Sequence, residues 1–367
     1  MYESRIAADH LTVAAVEGFC PEIDALAACN LSGHGFLRAA WYGAGRAAKG
    51  RTLVLRGAQG VLLAAIPTII FGPALLGARK VPGSYWPLRA PLIAPGCGVS
   101  DLSHALGHAA ASSLGPVWRI GPTRADDEAI MRVIEAAQLA NWTILARPAG
   151  ISWVVDLDAA KAKGWPRPSV GKKLRAAWRK LGELGPLRWH HVRGSGWNAA
   201  VLEDMGRIEA ESWIARTTDG RGAKFMTPAQ RATWQSVLHD PALAERLSAA
   251  ILMLGDRPIT FCFDLDDGPV RYGIASSYVE DMKRFNIGKL ANYRSMDDAI
   301  AAGQRVLDLG VGDSGYKEEM GAVQGYAMTD LLFVRSRTAA LLLARLWGKP
   351  LLPARLSRLE QPGAERG

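Results

Sequence analysis

The sequence predicts an α/β fold, a mixed central sheet with flanking helices, in a chain long enough for two domains. Three observations carry this. The chain has 367 residues, beyond the size at which one core usually suffices. Ala249–Leu254, Ile259–Leu265 and Val270–Tyr278 read as three antiparallel strands, with a turn at Asp267-Gly268. Val270–Tyr278 is then followed by a helical stretch, Ile287–Ala302, and a further strand, Arg305–Gly310. Strand, helix and strand in that order give a parallel crossover pair.

The preceding elements follow from periodicity and punctuation. Pro21–Asn30 and Phe36–Lys49 read as helices, Thr52–Arg56 and Val61–Phe71 as strands around a turn at Gly57–Gly60. The uncharged run from Arg56 to Arg79 is long enough to span a bilayer. Gly60, Pro67, Gly72, Pro73 and Gly77 break it, so a buried strand and a loop are expected there. Val81–Cys97 is a Pro- and Gly-rich loop carrying Tyr85 and Trp86. Asp101–Ser113 is a helix with His104 and His108 one turn apart. That spacing suits two metal ligands, but no third lies nearby, and no metal is expected. A strand at Val117–Ile120 and a helix at Asp126–Ala140 complete the first part; Asp126, Asp127 and Glu128 suit the helix start.

Ile151–Leu157 is strand-like and marks a boundary, giving domains 1–150 and 151–335 and a basic amphipathic tail, 336–367. Lys161–Pro168 reads as a linker and Ser169 as the cap of a helix over Val170–Leu184, which Gly185 and Pro186 end. Val170, Leu174, Ala177, Trp178 and Leu181 form its apolar face; Lys172, Lys173, Arg175, Arg179 and Lys180 fill the other. Leu187–Val192 is a strand. Trp197–Ala215, Pro228–His239 and Pro241–Leu247 are helices, and Ala327–Val334 a last strand.

The formal net charge is +9, and it is not evenly spread. Lys161–Arg193 holds ten basic residues against the single acid Glu183, and Leu331–Gly367 seven against Glu360 and Glu365. Two basic segments on a slightly acidic body suit an anionic partner: coenzyme phosphates, a lipid surface or RNA. The four cysteines are dispersed and no basic-then-apolar leader is visible, so a cytoplasmic protein is expected, with a peripheral place on the inner face of the plasma membrane as a further expectation.

Gly303–Gly321 admits two readings. VLDLGVGDSG, with Gly310, Gly312 and Gly315, fits the glycine-rich turn that binds S-adenosylmethionine in methyltransferases. In that family the turn follows the first strand of a long doubly wound sheet, and here too little chain remains to build one. The alternative uses the elements before it. SVGKKLRAAWRKLGELGPLRW, YGIASSYVEDMKRFNIGKL and LDLGVGDSGYKEEMG together resemble the CelD/FemAB-like branch of the acyl-CoA N-acyltransferase (GNAT) superfamily. The branch's Tyr-Lys…Gly pattern is present, with Met320 where an aromatic residue often precedes the glycine. The resemblance implies tandem GNAT-like domains, the N-terminal copy degenerate.

It also implies chemistry: direct attack by an amine on the thioester of acyl-CoA, the co-substrate. Such transfer needs the donor pyrophosphate held, the oxyanion stabilised and the amine deprotonated. For the first, Arg284, Asn286, Gly288 and Lys289 precede or open a helix whose free N–H groups bind phosphate. The second small residue of the usual GNAT loop is missing. For the second, the resemblance points to backbone N–H groups at Ser276, Ser277 and Tyr278, and to Lys317 beside Tyr316. For the third, Asp313, Glu280 and Asp281 are candidate carboxylates, and His190 and His191 candidate imidazoles. An amphiphilic acceptor is expected, a sphingoid base giving a ceramide or an amino sugar. The alternatives are a Fem-type transferase using aminoacyl-tRNA on a peptidoglycan precursor, and a non-catalytic scaffold.

Overall fold

A computed structural model describes residues 11–43, 50–83, 88–218, 220, 222–312 and 315–351. Asp313, Tyr85 and Trp86 lie outside them. The chain divides into two compact units, residues 1–150 with 326–367, and residues 151–325.

In chain order the elements are β1 (Thr12–Glu17), α1 (Glu22–Ala27), α2 (Ala39–Gly43), β2 (Gly50–Arg56), β3 (Leu62–Ile70), β4 (Arg79–Lys80), β5 (Leu92–Ile93), α3 (Val99–Gly107), β6 (Val117–Arg124), α4 (Glu128–Leu139) and β7 (Thr143–Asp156). Then come α5 (Leu157–Ala162), α6 (Pro168–Gly182), β8 (Leu187–Arg193), α7 (Ala199–Ala210), α8 (Trp213–Thr217), α9 (Pro228–Leu238), α10 (Pro241–Arg246), β9 (Leu247–Leu254), β10 (Arg257–Asp267), β11 (Val270–Tyr278), α11 (Ile287–Ala301), β12 (Val306–Val311) and α12 (Tyr316–Glu319). β13 (Val323–Val334), α13 (Arg337–Leu346) and β14 (Lys349–Pro350) follow.

In the first unit β1, β2, β3 and β4 pair antiparallel in sequence order, and β4 pairs parallel with β6. β13 adds to β6, β5 to β3 and β14 to β7. In the second unit β8, β9, β10 and β11 pair antiparallel in sequence order, and β11 pairs parallel with β12. The same pairing order therefore occurs twice, each time with a helix before the parallel strand. In the first copy the parallel strand β4 has only two residues, Arg79 and Lys80, and Pro82 follows close behind its end. Proline removes ladder donors, so a long strand cannot continue there.

Local chemistry explains where the elements differ from expectation. α6 begins at Pro168, not after Ser169, because proline needs no N–H partner at the first helical position. The single helix expected over Trp197–Ala215 is two. Ser212 bonds back to Glu209 O at 2.7 Å and caps α8 through Ile214 N, which forces a new start. β1 was not expected, and β7 begins eight residues before Ile151. The expected domain end at 335 moves to 325, because Met328–Val334 pairs with β6. The tail expected from 336 is, over its described part, a helix packed in the first unit through Ala340 against Leu145, Leu332 and Val334. Among the described residues no helix is long and apolar enough to cross a membrane. His108 accepts the Ala110 amide at 3.1 Å and so serves as a cap.

The core of the second unit packs aromatic rings between its sheet and α7–α9: Phe263 meets Trp234 at 4.8 Å and Phe225 at 5.2 Å, both edge-on. The side toward α11 is charged. Arg271 forks onto Asp266 at 2.7 and 2.8 Å and donates to Ser295 O at 3.2 Å. Ser295 Oγ donates to Asp264 at 2.8 Å. All four residues are buried. Buried charges persist only when paired in this way, and the pairing locks α11 onto β10 and β11.

Burial pushes the Asp264 carboxyl up to about 6, against the opposing pull of Arg271 and the Ser295 hydroxyl. Its folded value lies above the ordinary 3.8, so the folded state holds the proton more tightly than the unfolded chain. The group's contribution to stability therefore falls as pH rises from 3.8 to about 6. Asp264→Asn removes that dependence. Chemical denaturation across this range should show the variant gaining on the wild type as pH rises, by up to about 3 kcal/mol. A constant difference would contradict the assignment.

Candidate active site

β11 and β12 are paired through three residue pairs only, Val270–Val306, Arg271–Leu307 and Tyr272–Asp308. Beyond them β11 stays on β10 as far as Thr260–Tyr278, while β12 stays on β7 at Val311–Ser152. The sheet therefore opens between Ala275–Tyr278 and the end of β12. Both outer ladders slip at this point, β10–β11 at Phe263/Asp264 and β12–β7 between Asp308 and Val311. Such bulges bend strands and increase twist.

The open edge carries free backbone polarity. Val279 N–H donates to Ile259 O at 2.9 Å. By alternation along an antiparallel strand, the amides of Ser276 and Tyr278 then point away from β10, toward the side β12 leaves unpaired. Ser276 Oγ donates to Asn292 of α11 at 3.1 Å, and Ser277 is buried with its carbonyl held by Thr260 Oγ at 2.7 Å.

The facing wall is a fixed turn. Asp308 is buried and accepts from Ser152 Oγ at 2.5 Å and from Gly310 N–H at 2.7 Å. Gly310 has φ +73°, in the left-handed region that favours glycine. The Lys317 ammonium is also buried and donates to Gly310 O at 2.8 Å and Val311 O at 3.3 Å. Tyr316 packs on the cluster of Tyr293, Met296, Leu307 and Met320. The glycine turn thus follows a strand whose neighbours run parallel on one side and antiparallel on the other. The doubly wound sheet of a methyltransferase is not formed.

At the mouth stands the start of α11. Asn286 has φ +57°, and its carbonyl accepts both Lys289 N–H at 3.0 Å and Leu290 N–H at 3.2 Å. The Ile287 and Gly288 amides at the helix start have no intrahelical partner and are available to an anion. Gly288 lies under the Tyr278 ring; a Cβ there would come within 2.8 Å of it. Lys289 is paired with Glu319 at 2.7 Å, and Arg284 is exposed beside the Phe285 ring. α6 packs against α11 and the 280–285 turn, with Lys172, Lys173, Arg175, Arg179 and Lys180 exposed.

The carboxylates divide. Asp281 and Glu211 are both held by Arg257, at 2.9 and 2.7 Å. Glu280 receives Lys283 on one oxygen at 3.1 Å; its other oxygen is buried with no hydrogen-bond partner among the described residues. The structure brings Ser276, Ser277, Tyr278, Glu280, Asn286, Gly288, Lys289, Tyr316 and Lys317 to the strands, turn and helix start that frame the opening. His190 is not among them: β9 and β10 stand between its strand and β11, on the order of 14 Å. His191 faces Asp298 at 3.5 Å, and burial lowers its pKa. Ser152, Asp308 and Arg257 were not expected. Their partners are distant in sequence, and no local pattern marks them.

These environments rank the lysines. Lys317→Met strands two carbonyls and should lower stability by about 1–3 kcal/mol. Lys289→Ala breaks an exposed pair and should cost less than about 1 kcal/mol. Urea denaturation of both variants checks the order; equal losses would contradict it.

Comparison with known proteins places this geometry. Residues 168–318 match the family described as "Acetyltransferase (GNAT) domain". A search of curated protein sequences found no match. Among solved structures, FemX is similar with a TM-score of 0.57 at 10% identity, over 89% of this chain and 97% of that one. The C-terminal domain of a putative lysylphosphatidylglycerol synthetase from Agrobacterium fabrum aligns with a TM-score of 0.54 at 13% identity, over 88% and 93%. A tandem GNAT protein from the clavulanic acid biosynthesis pathway aligns with a TM-score of 0.50 at 11% identity, over 89% and 99%. Residues 168–318 thus match a GNAT domain, and the chain as a whole has a fold similar to those of FemX and the tandem GNAT protein.

Proposed function

We propose that this protein is an acyl-CoA-dependent N-acyltransferase acting on an amphiphilic or cell-envelope amine. The observation that carries the reading is the opening where β11 and β12 part, with an unpaired strand edge on one side and a helix start at its mouth. In this reading the donor's pantetheine amides pair with the outward edge of Ser276–Tyr278. The pyrophosphate meets the first turn of α11 at Asn286–Lys289, with Arg284 alongside. The thioester carbonyl lies against the outward amides of Ser276 and Tyr278.

The acceptor nitrogen attacks the thioester carbon directly. Its proton passes to Glu280, whose second oxygen is buried with no hydrogen-bond partner among the described residues. The C–S bond breaks, the leaving thiolate takes that proton back from Glu280, and coenzyme A departs as its thiol. Lys317 holds the β12 turn and sets a positive charge in the wall where negative charge develops. Asp313 is a second carboxylate candidate. A sphingoid base or an amino sugar fits the acceptor class, met on the cytoplasmic face of the plasma membrane.

A Fem-type reading, with aminoacyl-tRNA as donor, is favoured by one observation: the exposed basic face of α6 beside the mouth. A donor panel separates the two. Purified protein is offered short- and long-chain acyl-CoA or aminoacyl-tRNA, with sphinganine or glucosamine as acceptor, and N-acylated product is measured by mass spectrometry. The proposal expects product from acyl-CoA alone. Product only from aminoacyl-tRNA would replace it with the Fem reading, and none from either would leave the scaffold. With an active donor, Glu280→Gln should reduce kcat by about 10²-fold or more and shift the acid limb of the pH profile. An unchanged limb would remove Glu280 as base.

A further inference from the structure

α13 is apolar on both sides, and only one side is covered. Ala340 is buried, and Ala339, Leu343, Ala344 and Trp347 pack around Leu145, Leu332 and Val334. The other side presents Leu341, Leu342 and Leu346, which are 70%, 63% and 87% exposed. An uncovered apolar face on a short helix flanked by cations suits the boundary of a non-aqueous phase. The turn between β3 and β4 adds Leu75, fully exposed, and Leu76, 62% exposed. The turn and the residues that lead into the helix share one neighbour in the first unit, the Gly115-Pro116 backbone. The backbone of Gly77 lies so close to Gly115 that a Cβ there would strike the Gly77 carbonyl, and the next residue, Pro116, accepts the Arg335 amide at 3.0 Å.

The charge along the segment that carries α13 has one sign. Arg337, Arg345 and Lys349 are exposed, and no acidic residue occurs between Leu331 and Leu351. A 10-residue helix is about 15 Å long, half of what a bilayer core requires, so it can lie in an interface but not cross it. We propose that this face docks the protein on an anionic lipid bilayer, with Leu75, Leu341, Leu342 and Leu346 entering the headgroup boundary and Arg337, Arg345 and Lys349 meeting lipid phosphates. Leucine beside cationic residues is the composition of helices that bind in this manner. A second copy of the chain is the poorer occupant, because it would bring the same positive charges face to face. The surface lies wholly in the first unit and its test is independent of the acyl-transfer reading.

Flotation of the full chain with vesicles of phosphatidylcholine, with and without phosphatidylglycerol, tests the proposal. Binding is expected to the phosphatidylglycerol vesicles and to weaken with salt. A triple variant, Leu341→Ser with Leu342→Ser and Leu346→Ser, should bind about tenfold more weakly or less, and Arg337→Glu with Arg345→Glu should abolish the preference for the anionic lipid. Thermal denaturation should show both variants folded, since the replaced side chains face solvent. Failure of the wild type to float, or a folded triple variant that floats as the wild type does, would overturn the proposal. A concentration-dependent dimer that the triple variant loses, without vesicle binding, would assign the face to a second copy instead.

Discussion

Parallel pairing of β11 with β12 stops at Tyr272 and Asp308, and the whole of the candidate site follows from that stop. A continued ladder would consume the outward amides of β11. Instead Asp308 takes the Gly310 amide onto its own carboxylate, Gly310 turns left-handed, and Lys317 holds the carbonyls of Gly310 and Val311. The polar groups on the β12 side are thus satisfied internally, while those on the β11 side are left for water or a ligand. Buried backbone groups without partners are costly, so an opening of this kind is stable only if one wall is closed on itself.

The second unit uses ion pairs of two kinds. Those behind the opening are buried and forked, Arg271 on Asp266 with Ser295 and Asp264 attached, and they fix α11 on the sheet. Those at the mouth are exposed: Lys289 with Glu319, Lys283 with Glu280, and Arg257 with Asp281 and Glu211. Exposed pairs contribute little to stability and exchange partners easily. An anionic ligand arriving at the start of α11 meets a rigid backbone and cations that can turn toward it.

Much of the second unit was legible in its sequence because its signals are local. The turn at Asp267-Gly268, the end of β11 at Tyr278 and the start of α11 at Ile287 all coincide with punctuation or periodicity. The site's interior was not legible. Asp308 sits in a run that reads as strand and glycine turn, and its partner Ser152 lies in a strand far back in the chain. Lys317 stands beside Glu318 and Glu319, which suggests a surface lysine; it is buried because the four-residue α12 turns it toward the β12 carbonyls. β1 was missed because a six-residue strand before the first helix carries no turn signal, and the split at Ser212 because one hydroxyl ends an otherwise continuous helical pattern.

Hydrogen exchange with and without acyl-CoA tests the central claim most directly, because the claim concerns particular backbone amides. The account predicts slowed exchange at Ser276 and Tyr278 and at Ile287 and Gly288, with Val279 and Lys289 unchanged because Ile259 and Asn286 already hold their amides. Protection confined to residues outside 270–317, or binding with no protection at these amides, would contradict it.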